Sequence, residues 1–363
     1  MDFDFFHELL SIDSTSGKER KVAEWLAERL PDMFPASNRP LLRVDEVGDG
    51  TLNLLLIWGS PRIVFCSHLD TVPPYIPPVF CDRWPVKPAM TESTTPSTTP
   101  LVIPGLTGNL PDIIAGRGSC DAKGQVFALV EACKRLAEEG RSDFGLLLLA
   151  GEETGSWGAK AFAKTEFKAE YLVVGEPTDN CMVSASKGTK SFDLKFTGVP
   201  FHSGYPQYGV SAVDLFVEFV NALKAKDFGI DPVLGETTWN IGLVHSDNPQ
   251  NILSSELTCR IYFRTTFISD EAVTKWMDEA QSARLTVTPR GGDTPARYWT
   301  VEGIPAKSAA FGSDAPHLTN FVHKAICGPG SISVAHRDDE HVRVADLAVA
   351  VEQYLALYRA ATK

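Results

Sequence analysis

The chain has 363 residues, of which 44% are hydrophobic and 22% are charged, and its formal net charge is −12. This length predicts two domains, and the negative charge argues against a nucleic-acid partner, which would need a basic face. No stretch approaches the roughly 20 apolar residues of a membrane span, and the acidic N-terminus lacks the basic start of a signal peptide. Seven scattered cysteines with no Cys-x-x-Cys pair favour reduced thiols, so we expect a cytoplasmic protein.

The first 180 residues predict alternating helices and strands. The predicted elements are helices at 3–12 and 17–30, strands at 52–58 and 62–67, a helix at 126–139, a strand at 145–150, a helix at 158–164 and a strand at 171–175. Ser16 is a candidate N-cap for the second helix. The unbroken apolar run at 145–150 is typical of a strand buried on both faces. The alternation predicts an α/β fold with a doubly wound sheet that carries helices on both faces.

The pattern changes near residue 181. The predicted order there is strand, helix, strand, strand, helix and strand, at 191–197, 211–225, 238–245, 256–266, 270–282 and 285–288. This is the ferredoxin-like order, which predicts an α+β domain inserted at 181–288. The first domain then comprises 1–180 and 289–363, the latter with a strand at 321–327 and a closing helix at 344–360.

One segment of the first domain has a different composition. Residues 73–112 are rich in Pro, Ser and Thr, and 89–112 is interpreted as an insertion. It could rim a pocket or form disordered surface, and the low-complexity composition favours disorder.

Side chains of the types that bind metals follow the predicted strands and turns. They are His68 with Asp70, Asp121, Glu152 with Glu153, Glu176, and His336. Ligands of open α/β sheets bind at the carboxyl ends of the strands, so we expect these side chains at one site. Imidazole and carboxylate without thiolate suit a catalytic Zn²⁺ or another first-row divalent ion, and two ions are possible if one carboxylate bridges. The alternative for Glu152 and Glu153 alone is a solvated acidic loop.

The motifs resemble those of a known enzyme family. They are His68-x-Asp70, Gly116-Arg117-Gly118-x-x-Asp121-x-Lys123-Gly124, Glu152-Glu153 and Glu176-Pro177-Thr178. In this order they are similar to the motifs of the zinc-dependent aminoacylase and desuccinylase metallopeptidase family. The C-terminal Gly328-Pro329-Gly330 and Ala335-His336-x-x-Asp339-Glu340 resemble its acetylornithine deacetylase and succinyl-diaminopimelate desuccinylase branch. The resemblance implies a zinc-peptidase-like sheet domain with an inserted domain for dimerisation, which also serves as a lid.

The resemblance also implies a role for each matching residue. His68, Asp121 and Glu176 would hold one zinc ion, and Asp121, Glu153 and His336 a second one in the same subunit, with Co²⁺ or Mn²⁺ as possible replacements. Asp70 would orient His68, and Glu152 would act as the general base. We expect His341 not to be a ligand, because the family motif places the ligand before the Asp-Glu pair.

Residues of the inserted domain match further family motifs. Phe201-His202-Ser203-Gly204 implies that His202 stabilises the oxyanion in the other subunit of a homodimer. Asn240, Asn251 and Arg264 match segments that bind substrate, with Arg264 placed for the substrate carboxylate. The alternatives are a surface histidine, a polar loop and a surface salt bridge.

The predicted function is a metal-dependent amidohydrolase. It would remove the acetyl group from an N-acyl amino acid such as N-acetylornithine or N-acetylcitrulline, through a water that two zinc ions activate. The alternative is a zinc dipeptidase or carboxypeptidase, or an N-succinyl-amino-acid desuccinylase, of the same family. A non-catalytic relative is disfavoured because Glu152 and all the ligand positions are present. A dinucleotide site at Gly116-x-Gly118 is excluded because the rest of that fingerprint is missing.

Overall fold

The computed structural model describes residues 1–48, 50–81 and 112–363. Apart from Asp112, the predicted insertion at 89–112 lies outside these residues. The chain divides into two compact units. Unit 1 comprises Met1–Val183, Tyr298–Lys307 and Ser313–Lys363, and unit 2 comprises Ser184–Arg297 and Ser308–Gly312. The dimerisation and lid roles expected of 181–288 stay predictions.

Every predicted helix and strand has a counterpart among the described residues, in the predicted order, but nine of the eighteen strands were not predicted. The α-helices are α1 (Phe3–Ser11), α2 (Arg20–Arg29), α3 (Lys123–Glu138), α4 (Trp157–Phe162), α5 (Ala212–Ala225), α6 (Asp270–Ala280) and α7 (Val344–Ala361). The strands are β1 (Leu41–Val47), β2 (Thr51–Gly59), β3 (Ile63–His68), β4 (Val79–Cys81), β5 (Ile113–Ala115), β6 (Asp143–Leu149), β7 (Ala169–Val174), β8 (Met182–Ser186), β9 (Gly188–Thr197), β10 (Ile230–Asp231), β11 (Gly235–Glu236), β12 (Thr238–His245), β13 (Glu256–Thr265), β14 (Leu285–Gly291), β15 (Ala296–Arg297), β16 (Ala306–Ala309), β17 (Phe321–Ile326) and β18 (His341–Arg343). In the part of the chain that these elements cover, no helix is long and apolar enough to cross a bilayer.

Unit 1 contains a six-stranded sheet with the order β1-β2-β6-β3-β7-β17. Strands β6, β3, β7 and β17 run parallel, whereas β1 and β2 form an antiparallel hairpin that joins the sheet at β6. The predicted sheet with helices is confirmed, and the sheet is mixed, because β2 runs antiparallel to β6 at this edge. The reason is the short turn between β1 and β2, because a two-stranded hairpin needs no crossover helix.

The central strands are buried on both faces. Leu54 and Leu146 belong to the core that also contains Phe127 of α3 and Tyr354 of α7. The next residue along β6, Leu147, points to the other face and is also buried. This double burial explains the unbroken apolar run of β6. The register of the sheet brings the carboxyl ends of β3, β6 and β7 to one edge. His68 of β3 is in register with Leu149 of β6, and Cys66 of β3 with Val174 of β7.

Unit 2 contains a four-stranded antiparallel sheet with the order β12-β13-β9-β14. Along the chain, its larger elements follow the order β9, α5, β12, β13, α6 and β14. Phe196 and Phe263 of the sheet pack with Phe219 of α5 and Met277 of α6 in one core. Helix α5 begins after Ser211, whose side chain accepts a hydrogen bond from the Asp214 backbone N–H.

Candidate metal centre

Six side chains of unit 1 meet at the carboxyl edge of the central sheet. His68 ends β3, Glu152 and Glu153 follow β6, and Glu176 follows β7. Asp121 and His336 come from loops. Two groups of three have ligand atoms within 4.8 Å of one another and share one carboxylate; they are His68 with Asp121 and Glu176, and Asp121 with Glu153 and His336.

The Asp121 carboxylate lies between two imidazoles. Its Oδ1 is 3.1 Å from Nε2 of His68, and its Oδ2 is 3.3 Å from Nε2 of His336. The same His336 nitrogen is 2.9 Å from Oε1 of Glu153. Each oxygen of Asp121 therefore faces a different group of donors, which is the geometry that a bridging ligand between two ions requires.

Glu152 lies among the same donors. A third group of atoms within 4.8 Å consists of His68, Glu152 and Glu153. Glu152 is thus close enough to the candidate ligands to exchange a proton with a water held among them. The solvated acidic loop considered for Glu152 and Glu153 does not describe this arrangement, because both side chains join groups that contain a buried histidine.

The Asp70 carboxylate anchors the backbone of the two glutamates. Its Oδ1 accepts a hydrogen bond from Glu152 N at 3.0 Å, and its Oδ2 accepts one from Glu153 N at 3.2 Å. Nδ1 of His68 is 3.4 Å from Asp70 Oδ1 but only 2.9 Å from the Asp70 carbonyl oxygen. The nearest partner that could fix the His68 tautomer is therefore the backbone of Asp70, while its carboxylate holds the Glu152–Glu153 turn.

Ser16 also belongs to this support. Its hydroxyl donates to Asp70 Oδ2 at 2.9 Å. The prediction of Ser16 as a helix cap is wrong, because α2 begins at Arg20, four residues later, with Glu19 at the N-cap position. A serine before a helical pattern is a local signal, whereas its contact with Asp70 spans 54 residues.

The loop that carries Asp121 begins with a conformation that favours glycine. Gly116 has φ +126°, and a Cβ atom at this position would lie 2.9 Å from Pro78 Cα. A larger residue would therefore meet both backbone strain and a steric clash with the chain at residues 76–78. This explains the glycine at position 116.

The pKa values of the clustered side chains show that positive charge is favourable at this site. Burial and the nearby Glu152 raise the pKa of Glu176 well above its ordinary value. Although burial acts to raise it, hydrogen bonds with His336 and His68 hold the pKa of Asp121 well below its ordinary value. Hydrogen bonds with Asp121 and Glu153 raise the pKa of His336 to about 10. A positive charge beside these carboxyl groups, from an imidazolium or a bound cation, stabilises their ionised form.

The donor set fits divalent metal ions. It contains four carboxylates and two imidazoles, and no thiol. Oε1 of Glu176 is buried and has no hydrogen-bond partner among the described residues. A buried carboxylate oxygen without a partner is costly unless a cation or a hydrogen-bond donor occupies the space beside it. The residues present therefore fit a site for one or two divalent ions.

Asp314 is a buried carboxylate near the centre that the sequence did not reveal as a site residue. Burial raises its pKa to about 7, against the effect of His68, which acts to lower it. It adds to the negative charge felt by Glu152 and Glu176. Asp314 lies in the short segment Gly312-Ser313-Asp314, which belongs to none of the motifs, so the sequence did not mark it as a site residue.

The other predicted site residues lie in unit 2. His202 is exposed and its Nδ1 accepts a hydrogen bond from Gly204 N at 3.0 Å. Its segment runs beside that of Asn251, whose carbonyl accepts from the Ser203 N–H at 2.9 Å. The structure therefore brings the predicted oxyanion histidine and the predicted substrate loop together.

Asn240 and Arg264 lie on adjacent strands of unit 2. Asn240 is exposed on β12, opposite Tyr262 of β13. The Arg264 guanidinium lies over the Tyr262 ring at 5.0 Å from its centroid. Across the described part of the chain, Arg264 is in no ion pair between side chains, so the surface salt bridge considered for it is not formed there.

His341 lies outside the candidate metal groups of the described residues. Its Nδ1 is 2.8 Å from the Asp339 carbonyl oxygen. Of these two C-terminal histidines, it is His336 whose imidazole reaches Asp121, and its backbone has φ +64°. A left-handed conformation at a non-glycine residue is uncommon and is often found at functional sites.

A mixed α/β sheet with carboxylates and imidazoles gathered at the ends of its parallel strands is the arrangement of a metallohydrolase. Residues 64–360 match peptidase family M20/M25/M40, and the chain belongs to this family. The protein is therefore a hydrolase that acts on amide bonds, as the sequence predicts. The metallopeptidase family predicted from the motifs is confirmed, and the acetylornithine deacetylase branch stays a prediction.

Individual relatives match nearly the whole chain. A probable carboxypeptidase of Aspergillus flavus is 30% identical over 390 residues, covering 98% of this chain and 89% of that protein. A probable carboxypeptidase of Talaromyces marneffei is 31% identical over 393 residues, covering 98% and 84%.

Solved structures share the fold. A tripeptidase from Staphylococcus aureus superposes with a TM-score of 0.77 at 19% identity, covering 99% of this chain and 97% of that one. A dinuclear metal-binding peptidase of the M20 family from Bacillus subtilis gives a TM-score of 0.64 at 10% identity, covering 98% and 95%.

Proposed function

We propose that this hydrolase is a metal-dependent carboxypeptidase that cleaves the amide bond before the C-terminal residue of short peptides. The observation that carries the catalytic part is the position of Asp121, with one carboxylate oxygen towards His68 and the other towards His336. The substrate part is supported by the probable carboxypeptidases that match this chain over almost its whole length.

The proposed metal is zinc, with Co²⁺ or Mn²⁺ as possible substitutes. His68, Asp121 and Glu176 would hold one ion, and Asp121, Glu153 and His336 the other. Two bound ions supply Lewis acidity for the amide carbonyl and lower the pKa of water. The donor set of imidazole and carboxylate is typical of catalytic zinc sites.

Glu152 is proposed as the general base. It accepts a proton from the attacking water and then donates it to the nitrogen of the leaving amine. Its backbone is held in place because Asp70 accepts hydrogen bonds from both Glu152 N and Glu153 N. Such fixed positioning is what proton transfer over hydrogen-bond distance requires.

Arg264 is proposed to bind the substrate carboxylate, with Asn240 and Asn251 contributing polar contacts. The guanidinium offers a planar fork that matches a carboxylate, and the described residues provide no competing ion pair for it. A C-terminal carboxylate next to an amide is common to short peptides and to N-acyl amino acids. The second candidate is therefore the deacylation of N-acetylornithine, N-acetylcitrulline or an N-succinyl amino acid, which the C-terminal motif around His336 favours.

A substrate panel separates these candidates. We expect chelator-treated protein to be inactive, and zinc to restore cleavage of dipeptides and of N-acetylated dipeptides, while dipeptide amides stay intact. A carboxypeptidase tolerates a blocked N-terminus but needs the free carboxylate. Amine release measured on this panel, with N-acetylornithine, N-acetylcitrulline and N-succinyl-diaminopimelate included, decides the substrate class. Preferred cleavage of one acyl amino acid would support the second candidate, and cleavage of dipeptide amides would contradict both.

We further propose a homodimer formed through unit 2, with His202 stabilising the oxyanion in the partner subunit. Exposed apolar side chains support this interface, because Val213 and Val217 of α5 and Leu243 and Val244 of the edge strand β12 are all exposed in the single chain.

Mixed subunits test this arrangement. We expect His202→Ala and Glu152→Gln proteins to be nearly inactive separately, and a mixture to regain part of the wild-type activity after subunit exchange. One of the two sites in a mixed dimer then combines an intact Glu152 with an intact His202. The measurement is amide hydrolysis after exchange, with exchange proven by differently tagged subunits. A mixture that exchanges fully and stays inactive would show that His202 does not act across the dimer.

A further inference from the structure

Glu340 makes an unusual set of contacts at the loop that carries Asp121. Its side chain is buried, and its Oε1 accepts hydrogen bonds from three backbone N–H groups: Gly118 at 3.0 Å, Cys120 at 3.0 Å and Asp121 at 2.9 Å. Three donors that converge on one carboxylate oxygen determine the path of this loop. The backbone of the proposed bridging ligand is thus held directly by Glu340.

The second oxygen of Glu340 pairs with a buried arginine. Oε2 accepts a hydrogen bond from Arg117 Nη1 at 2.5 Å, and both side chains are almost fully buried. Arg117 also donates from Nη1 to the Arg337 carbonyl and from Nε to the Pro74 carbonyl, each at 3.2 Å. The pair therefore connects three segments, which lie shortly after His68, before Asp121 and shortly after His336.

The backbone continues the same connection. Strands β5 and β18 pair with His341 opposite Ala115, and Gly116 N donates to the Glu340 carbonyl at 3.0 Å. The Asp121 loop and the His336 segment thus meet at the end of one short antiparallel ladder. The two sides of the metal centre are held in register at this point.

The buried Arg117–Glu340 ion pair is not expected to contribute much to the free energy of folding. A buried ion pair commonly contributes no more stability than apolar residues of similar volume, because both charges lose their hydration. Nη2 of Arg117 also has no partner among the described residues, which adds a cost of desolvation. What the pair does provide is a fixed geometry for the loop that precedes Asp121.

We propose that Glu340 is a positioning residue of the metal centre, which sets the orientation of Asp121 and couples it, through Arg117, to the segment of His336. This inference rests on the proposed metal centre. Glu340 acts through Asp121 and touches neither the substrate nor the reacting atoms.

The test is Glu340→Gln in the full-length protein. The amide keeps an acceptor for the backbone N–H groups, but its NH₂ group then faces Arg117, so the loop should shift. We expect the zinc affinity of the site formed by Asp121, Glu153 and His336 to fall by about 10–100-fold. A loss of this size is typical when a residue that supports a metal ligand is replaced. The absorption spectrum of the Co²⁺-loaded protein should change as well, since it reports ligand geometry. Both readouts use metal-free protein titrated with a single metal, and neither requires activity.

Glu170→Gln is the matched control, because Glu170 forms a half-exposed pair with Arg62 in the same unit. It should leave zinc affinity and the Co²⁺ spectrum unchanged. A folded Glu340→Gln protein with wild-type affinity and spectrum would overturn the inference, even if its unfolding temperature were lower. If Glu340→Gln does not fold, Arg117→Lys decides, because it keeps the charge but loses the contacts to Pro74 and Arg337; wild-type metal binding in that variant would equally overturn the inference.

The outcome is distinguishable from a failure of the proposed function. A wild-type protein that binds metal at both positions but cleaves none of the peptides contradicts the substrate proposal and leaves the Glu340 test intact. A wild-type protein that binds only one ion contradicts the two-ion proposal. The test of Glu340→Gln then compares the affinities of the wild type and the variant for that single ion.

Discussion

Replacing Glu152 by glutamine is expected to lower kcat by about 10²–10⁴-fold, the range that general acid–base catalysis usually contributes. The metal content should stay at the wild-type level, because His68, Asp121 and Glu176 and the donors around His336 remain in place. Glutamine has nearly the same shape as glutamate but cannot accept the proton of the attacking water. The experiment compares kcat and bound zinc per chain for the two proteins.

Glu166→Gln is a suitable control for this variant, since Glu166 is exposed and lies in the same unit. It should behave like the wild type in both measurements. Near-normal turnover of Glu152→Gln would rule out Glu152 as the base. Loss of zinc together with turnover would instead make Glu152 a metal ligand, which its proximity to His68 and Glu153 would allow.

Replacing His336 by alanine should remove one metal ion per chain and keep the other. Its Nε2 is the imidazole atom that faces both Asp121 and Glu153, whereas the group of His68, Asp121 and Glu176 does not depend on it. We expect kcat/KM to fall at least about 100-fold, since the charge stabilisation from one metal ion is worth several kcal/mol. Zinc per chain, measured by elemental analysis after dialysis, is the direct readout.

His341→Ala is the matched control for this loss, because His341 lies five positions further along the chain and contacts the Asp339 carbonyl instead of the cluster. It should retain both ions. If His336→Ala still carried two ions and His341→Ala only one, the second ligand would have to be reassigned to His341.

Much of the fold is predictable because burial determines the residue pattern. After Asp143 at its start, strand β6 is apolar because both of its faces are covered, and Glu152 and Glu153 follow where the buried run ends. Strand β1 was not predicted, because it is an edge strand with charged and exposed positions that resemble a polar loop. The antiparallel edge of the sheet follows from this same hairpin.

The candidate site was predictable only as far as local motifs extend. Spacing and residue type place His68, the Glu152–Glu153 pair and Glu176 at strand ends, where strand register brings these candidate ligands together. Asp121 and His336 lie in loops, and only the motifs indicate them. The contact of Ser16 with Asp70 and the burial of Asp314 depend on distant parts of the chain. No local pattern contains such contacts, because a serine or an aspartate in a loop has the same sequence appearance whether it faces solvent or the site.

The candidate ligands of this centre lie far apart in the sequence, from His68 to His336, and the residues that support them extend from Ser16 to Glu340. An unfolded chain therefore cannot present the set, and bound ions add their free energy only to the folded state. An ion present at 100 times its dissociation constant would stabilise that state by about 2.7 kcal/mol. With ions bound at this centre, metal supply and thermal resistance would be linked, and depletion of the ion would lower the folded fraction as well as catalytic turnover.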